Sequence, residues 1–109
     1  MELAESAKKD FCIIYLNGRI DSKRAPEFEQ RILSILERGE KKIIINCRDL
    51  RYISSLGLRV FLTAQKKIIA HKGTLYLCEL TPQVLETVTI SGFSSIFKIF
   101  ETEEEAMEG

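Results

Sequence analysis

The fold turns on the stretch "KKIIINCRDLRYISSLGLRVFL" (Lys41–Leu62). It begins with "KKIIINC", a short and continuously apolar run, the pattern of a strand covered on both faces. It leads into an amphipathic segment in which Leu58, Phe61, Leu62, Ile68 and Ile69 form one helical stripe, with Arg59, Thr63, Lys66 and Lys67 outside it. Between the two stand Ser54, Ser55 and Gly57. One serine is enough to cap a helix. A glycine in the first turn costs up to about 1 kcal/mol against alanine. Something other than helix propensity selects this turn.

Upstream, "FCIIYLNG" (Phe11–Gly18) is a β-rich run ended by Asn-Gly, a turn signal, and a weaker strand is expected before it over residues 2–7. "APEFEQRILSILERG" (Ala25–Gly39) reads as a helix. Pro26 suits its first turn, Phe28, Ile32, Ile35 and Leu36 share one face, and Gly39 stands where a C-terminal cap belongs. Downstream, Gly73 ends the second helix and "TLYLCEL" (Thr74–Leu80) is a strand. Thr81 caps a third helix that has Pro82 at its first position. "SIFKIF" (Ser95–Phe100) reads as a last strand and "TEEEAMEG" (Thr102–Gly109) as a short acidic helix.

Strands alternating with helices in this way predict an α/β domain: a mixed, largely parallel sheet of four or five strands packed with about four helices. One domain is expected over residues 1–109, with Ile44, Leu58, Phe61, Leu62 and Leu77 buried. Sites in such sheets collect beyond the carboxyl ends of the strands. That sets the loop "NGRIDSKR" (Asn17–Arg24) beside the loop "RDLRYISS" (Arg48–Ser55).

A chain of 109 residues buries a core without staples, and 45% hydrophobic with 29% charged residues is an ordinary globular balance. Sixteen basic and sixteen acidic residues cancel, so no bulk field draws the chain to nucleic acid or to an anionic membrane. "MELAESAKKD" lacks the apolar core of a signal peptide, and no apolar run is long enough to span a bilayer. A soluble, cytoplasmic protein is the expectation. Cys12, Cys47 and Cys78 form no C-x-x-C pair and read as small buried hydrophobes. His71 is the only histidine and sits at a predicted helix end, where it faces the helix C-terminus. No metal or cofactor is expected.

The Ser-Ser-x-Gly turn admits several readings. In the plainest, Ser54 or Ser55 is an N-cap and Gly57 lets helix and strand pack closely. A hydrolase nucleophile would need a base and a G-x-S-x-G elbow, and neither is present. One glycine does not make a phosphate-binding loop. The remaining reading makes the serine a substrate. A phosphate at a helix N-terminus faces free N–H groups and the positive end of the dipole, so the domain tolerates it and a docking partner feels it.

"NGRID", "RDLRYISSLGLRVFL" and "KGTLYLCELTPQVLETVTISGFSSIFKIFETEEEAM", in this order, resemble an anti-sigma factor antagonist, a stand-alone STAS domain. The resemblance implies that Ser55 is the serine a partner kinase phosphorylates and that Gly57 is the motif glycine. It implies that Asp21 is the acidic residue of the first loop near the phosphosite. Ser54 takes the place of an aspartate, and Leu56 replaces the usual small residue, which bears on partner choice. Function is implied as non-enzymatic partner switching: binding an anti-sigma factor that is a serine kinase of the GHKL type, release on phosphorylation, and recovery by a PP2C-type phosphatase. The second helix and the first loop would form the docking face of a monomer or weak dimer. A STAS-type accessory subunit of a transport complex, or a nucleotide or anion sensor, is the alternative. Arg19, Lys23, Arg24, Arg48, Arg51 and Arg59 cluster around the two loops and suggest a locally positive face.

Overall fold

The computed structural model describes residues 1–109. It contains β1 (Glu2–Lys8), β2 (Phe11–Ile20), α1 (Ala25–Glu37), β3 (Lys42–Ile53), α2 (Ser55–Ala70), β4 (Thr74–Cys78), α3 (Pro82–Ile90), β5 (Lys98–Phe100) and α4 (Glu103–Glu108). The five strands form one mixed sheet whose spatial order is the chain order. β1 runs antiparallel to β2, and every later pair is parallel. Lys9 and Asp10 close the β1–β2 hairpin with φ of 49° and 71°, the left-handed pair that a tight two-residue turn between twisted strands requires.

The chain order explains the layers. Crossovers between parallel strands are right-handed, so three in succession in one direction set α1, α2 and α3 on the same face. The large core lies there: Ile14, Leu16, Ile43, Ile45 and Leu77 from the sheet meet Phe28, Ile32, Leu58, Phe61, Val84 and Val88 from the helices. Phe61 stands edge-on to both Phe28 and Phe97, at 5.6 and 6.2 Å between ring centres. The alternate strand residues Phe11, Ile13, Ile44 and Cys78 face the other way and are covered by Ala106 of α4.

Four sequence expectations change. The "NGRIDSKR" segment does not turn at Asn17-Gly18, because β2 continues to Ile20. Gly18, at φ 104°, sits at register shifts against β3 and marks a bulge rather than a turn. "RDLRYI" is strand, since β3 continues to Ile53, pairing Arg19 with Tyr52 and Ile20 with Ile53. "SIFKIF" is strand only from Lys98; Phe93–Ser95 is a 3₁₀ turn, and Ile96 is exposed. Ile44, Leu58, Phe61 and Leu77 are buried as expected, whereas Leu62 is only half-buried and Ile69 is 58% exposed, on the flank of the helix stripe.

Helix α4 is fastened by a buried carboxylate. Glu103 is 6% exposed and accepts hydrogen bonds from Tyr15 Oη (2.8 Å), Lys8 Nζ (2.9 Å) and Asn46 Nδ2 (3.0 Å). Its own N–H donates to Glu79 Oε2 at 3.0 Å. Burial pushes the Glu103 carboxyl up, but the three donors outweigh it and hold the group below its ordinary value. A carboxyl lowered on folding stabilises above the ordinary carboxylate range, and that stability is lost as pH falls through the folded pKa. Glu103→Ala strands three donors, two of them part-buried or buried. It should cost roughly 1–3 kcal/mol in urea unfolding at pH 7. The variant should also lose part of the acid sensitivity of the parent below pH about 4.5. Identical unfolding curves for parent and variant at both pH values would show that α4 is held by apolar contact alone.

Candidate functional site

β3 enters α2 with a single residue between them. Ser54 is that residue, extended at φ −82° and ψ 170°. Its N–H donates to Ile20 O at 2.8 Å, and its Oγ accepts from Gly57 N at 3.1 Å. It is 8% exposed. Ser54 is therefore the cap, and it is committed on both sides. Ser55 is the first residue of the helix and is exposed. The sequence left open which serine caps; the geometry assigns the cap to Ser54.

Gly57 is buried in the first turn of α2. A Cβ there would lie 2.8 Å from Ile53 Cγ1 and 2.9 Å from Ile20 Cγ2. The glycine thus serves close approach: the helix start rests on the last rung of the β2–β3 pair. Leu56, next to it, is 40% exposed and lines a shallow groove with Ala25, Pro26 and Glu29 of α1 and Arg59 and Val60 of α2.

Asp21 directly follows Ile20, so it and Ser55 flank the same backbone hydrogen bond. Its carboxylate turns to its own loop. Oδ1 accepts from Arg24 N (2.9 Å) and Oδ2 from Arg24 Nη1 (2.7 Å), closing the turn into α1. The Arg24 backbone N–H, aided by the guanidinium, holds the Asp21 carboxyl below its usual range.

The six expected cations divide. Arg19 stacks over the Tyr52 ring at 4.4 Å, Arg24 pairs with Asp21, and Arg48 lies 3.9 Å from Asp49 and 4.0 Å from Glu79. Lys23, Arg51 and Arg59 are exposed and enter no ion pair. Fewer free cations thus remain than the sequence suggested: those three, and Arg19 over its ring. No group of His, Cys, Asp and Glu is placed to hold a metal ion. His71 Nδ1 lies 2.9 Å from Lys67 O at the end of α2. The three cysteines are free and buried. Burial, with Glu40 and Glu5 nearby, pushes the Cys12 thiol up to about 11, and burial pushes Cys78 up to about 12. Thiols raised this far are poor nucleophiles at neutral pH.

The sequence missed the extension of β2 and β3. β3 pairs with β4 only from Lys42 to Asn46, so Leu50–Ile53 and Gly18–Ile20 project beyond it as a two-stranded tongue. The spacing gave little signal, because Leu50 and Ile53 are both buried yet stand three residues apart, out of the two-residue period of a strand. Gly57→Val forces two buried isoleucines apart and should destabilise by about 1–3 kcal/mol. Gly57→Ala should cost less, because alanine regains up to about 1 kcal/mol of helix propensity. Chemical denaturation measures both; equal midpoints for all three proteins would mean the Ile20–Ile53 contact yields freely.

The STAS domain model matches residues 4–106. A protein of Bordetella bronchiseptica named as the anti-sigma factor antagonist BtrV is 37% identical over 106 residues, covering 97% of this chain and 91% of that protein. An anti-sigma factor antagonist structure from Thermotoga maritima superposes with a TM-score of 0.91 at 25% identity, covering 97% of this chain and 92% of that one. The Bacillus cell fate determinant SpoIIAA, solved in its phosphorylated form, gives a TM-score of 0.73 at 22% identity over 98% and 97% of the two chains. No helix is long and apolar enough to cross a membrane. With its five-stranded mixed sheet, its four helices and this match over nearly its whole length, the chain belongs to the STAS domain family, alongside relatives named as anti-sigma factor antagonists.

Proposed function

We propose that this chain is a single STAS domain over residues 1–109 that acts in the cytoplasm as a phosphorylation-controlled partner switch without enzymatic activity of its own. Unphosphorylated, it binds an anti-sigma factor that is also a serine kinase of the GHKL type. Phosphorylation of Ser55 releases it, and a PP2C-type phosphatase restores binding. Asp21, Ser54, Leu56, Gly57 and Arg59 shape the docking surface around Ser55.

The observation that carries this reading is the contrast between two adjacent serines. Ser54 is buried and its Oγ is engaged by Gly57 N, whereas Ser55 is exposed at the first position of α2. A kinase reaches the second and not the first. A protein of the same fold has been solved in a phosphorylated form, so the fold is compatible with phosphorylation. An accessory subunit or an anion sensor has no need of an accessible acceptor serine.

The energetics favour a switch rather than an unfolding event. Phosphate adds roughly −1.5 to −2 charges at pH 7. The α2 N-terminus offsets this by about 0.3–1 kcal/mol in the free domain. Pressed against a partner and stripped of water, an unpaired charge costs about 2–5 kcal/mol, or roughly thirty- to several-thousand-fold in affinity.

Incubation with candidate GHKL kinases and ATP, followed by mass spectrometry, should find phosphate on Ser55. Ser55→Ala should bind the kinase constitutively and take no phosphate. Ser55→Asp should keep its melting temperature and lose affinity. Ser54→Ala should lose about 1 kcal/mol of stability through the missing cap, yet still accept phosphate at Ser55. Phosphate on Ser54, or a Ser55→Asp protein that binds every candidate as tightly as the parent, would overturn the proposal.

A further inference from the structure

Helix α2 carries a charge pattern that neither the fold nor the Ser55 site requires. The chain has sixteen acidic and sixteen basic residues, but Ser55–Ala70 contains no carboxylate and three cations, Arg59, Lys66 and Lys67. None of the three takes part in any of the six ion pairs of the molecule. Opposite charges at i,i+4 spacing stabilise a surface helix, and α2 has no such pair. It leaves its cations unanswered.

The same helix exposes apolar surface in register with those cations. Ser55, Arg59, Leu62, Lys66 and Ile69 follow one another at intervals of four, three, four and three residues, so they form one ridge about 21 Å long. Leu62 is half-buried and Ile69 is 58% exposed. One turn before Ile69, Gln65 Nε2 donates to Ile96 O at 3.2 Å, which sets the backbone of Ile96, a residue 42% exposed, beside the ridge. Gln65 Oε1 is buried there with no donor. Aliphatic side chains and unpaired cations therefore share the half of α2 remote from Ser55.

We propose that Leu62, Lys66, Ile69 and Ile96 form a second anchoring surface, which receives an acidic amphipathic helix of a protein partner. The alternating spacing matches the i, i+3, i+4, i+7 reading by which such helices dock on apolar ridges. Complementary charge supplies the acidic character, since each cation awaits a carboxylate. A second copy packed symmetrically on this face would bring Arg59 and Lys66 of both copies into one seam to which α2 contributes no carboxylate. The proposal deepens the docking reading above and rests on it for the partner's identity, not for the surface itself. Its consequence is a two-part interface in which the Ser55 end is switched by phosphate and the distal end is not.

The full-length, ¹⁵N-labelled chain is titrated with a synthetic peptide of roughly 20 residues, helical, with leucines at i, i+4 and i+7 and glutamates flanking them. A control peptide carries lysine for every glutamate. The acidic peptide should give saturable amide shifts at Leu62, Gln65, Lys66, Ile69 and Ile96, with Kd of about 1 mM or tighter. The lysine peptide should give none. Ile69→Glu and Lys66→Glu, both at exposed positions, should each keep the parent melting temperature and weaken binding about tenfold or more. Ser55→Asp should leave this binding within about threefold, because its charge lies some three turns away. Absence of saturable shifts, equal binding of both peptides, or shifts centred on α1 or α3 would overturn the proposal. So would sedimentation showing a dimer that Ile69→Glu dissolves, or binding of anionic phosphatidylserine vesicles that Lys66→Glu abolishes while the acidic peptide gives no shifts. Failure of every kinase to modify Ser55 would end the partner-switch reading and leave the peptide result standing.

Discussion

The hydrogen bond from Ser54 N to Ile20 O, 2.8 Å long, joins the last rung of the β2–β3 pair to the start of α2. Without it, helix and strand would meet through a loop with its own freedom. With it, residue 55 has a position fixed by the sheet. Ile20 and Ile53, both fully or almost fully buried, stand on that rung, and Gly57 lets the first helical turn settle directly on them. A side chain at Gly57 would lift the helix start away from the strands and move the serine with it. The site is therefore precise because it is built on paired strands rather than on a mobile loop, even though it lies beyond the end of β4.

The two faces of the sheet divide the labour. Right-handed crossovers place α1, α2 and α3 on one face, where the large core fixes the helix that presents Ser55. The other face is covered by the short α4, tied down through Glu103 to β1, β2 and β3 by Lys8, Tyr15 and Asn46. A six-residue helix has little stability of its own. Its capping box at Thr102 and Glu105 and the buried carboxylate supply what length does not. A change of charge at the start of α2 is thus separated by the sheet from what covers the opposite side.

Much of this was legible in the sequence. The continuous run Ile43–Ile45 marked a central strand because burial on both faces leaves no polar alternation, and all three residues are fully or almost fully buried. Pro26, Thr81 and Pro82 marked helix starts through chemistry local to the chain. The misreadings arose where local signals met tertiary context. Asn17-Gly18 has the dipeptide signature of a turn, but pairing with β3 holds it in a bulged strand. Ile69 fits a helical stripe by spacing, yet it lies on the flank where no strand or helix covers it. Asp21 was legible as a loop carboxylate, while its commitment to Arg24 required the turn geometry.

The question the turn raises, why two serines and a glycine, has a physical answer in the division between them. A residue at the cap must offer its oxygen to the helix N–H groups, and Ser54 does so to Gly57 N at 3.1 Å. Phosphate esterified to that oxygen would end the cap and place a dianion in a position 8% exposed. Stability and signalling cannot both reside in one hydroxyl. An acceptor one residue onward, as proposed for Ser55, would stand at the positive end of the helix dipole, in solvent, with the cap intact. An aspartate at position 54 would cap equally well, but it would set a fixed negative charge beside the acceptor. Serine caps without that charge, so in the proposed switch the whole change in field would arrive with a phosphate on Ser55.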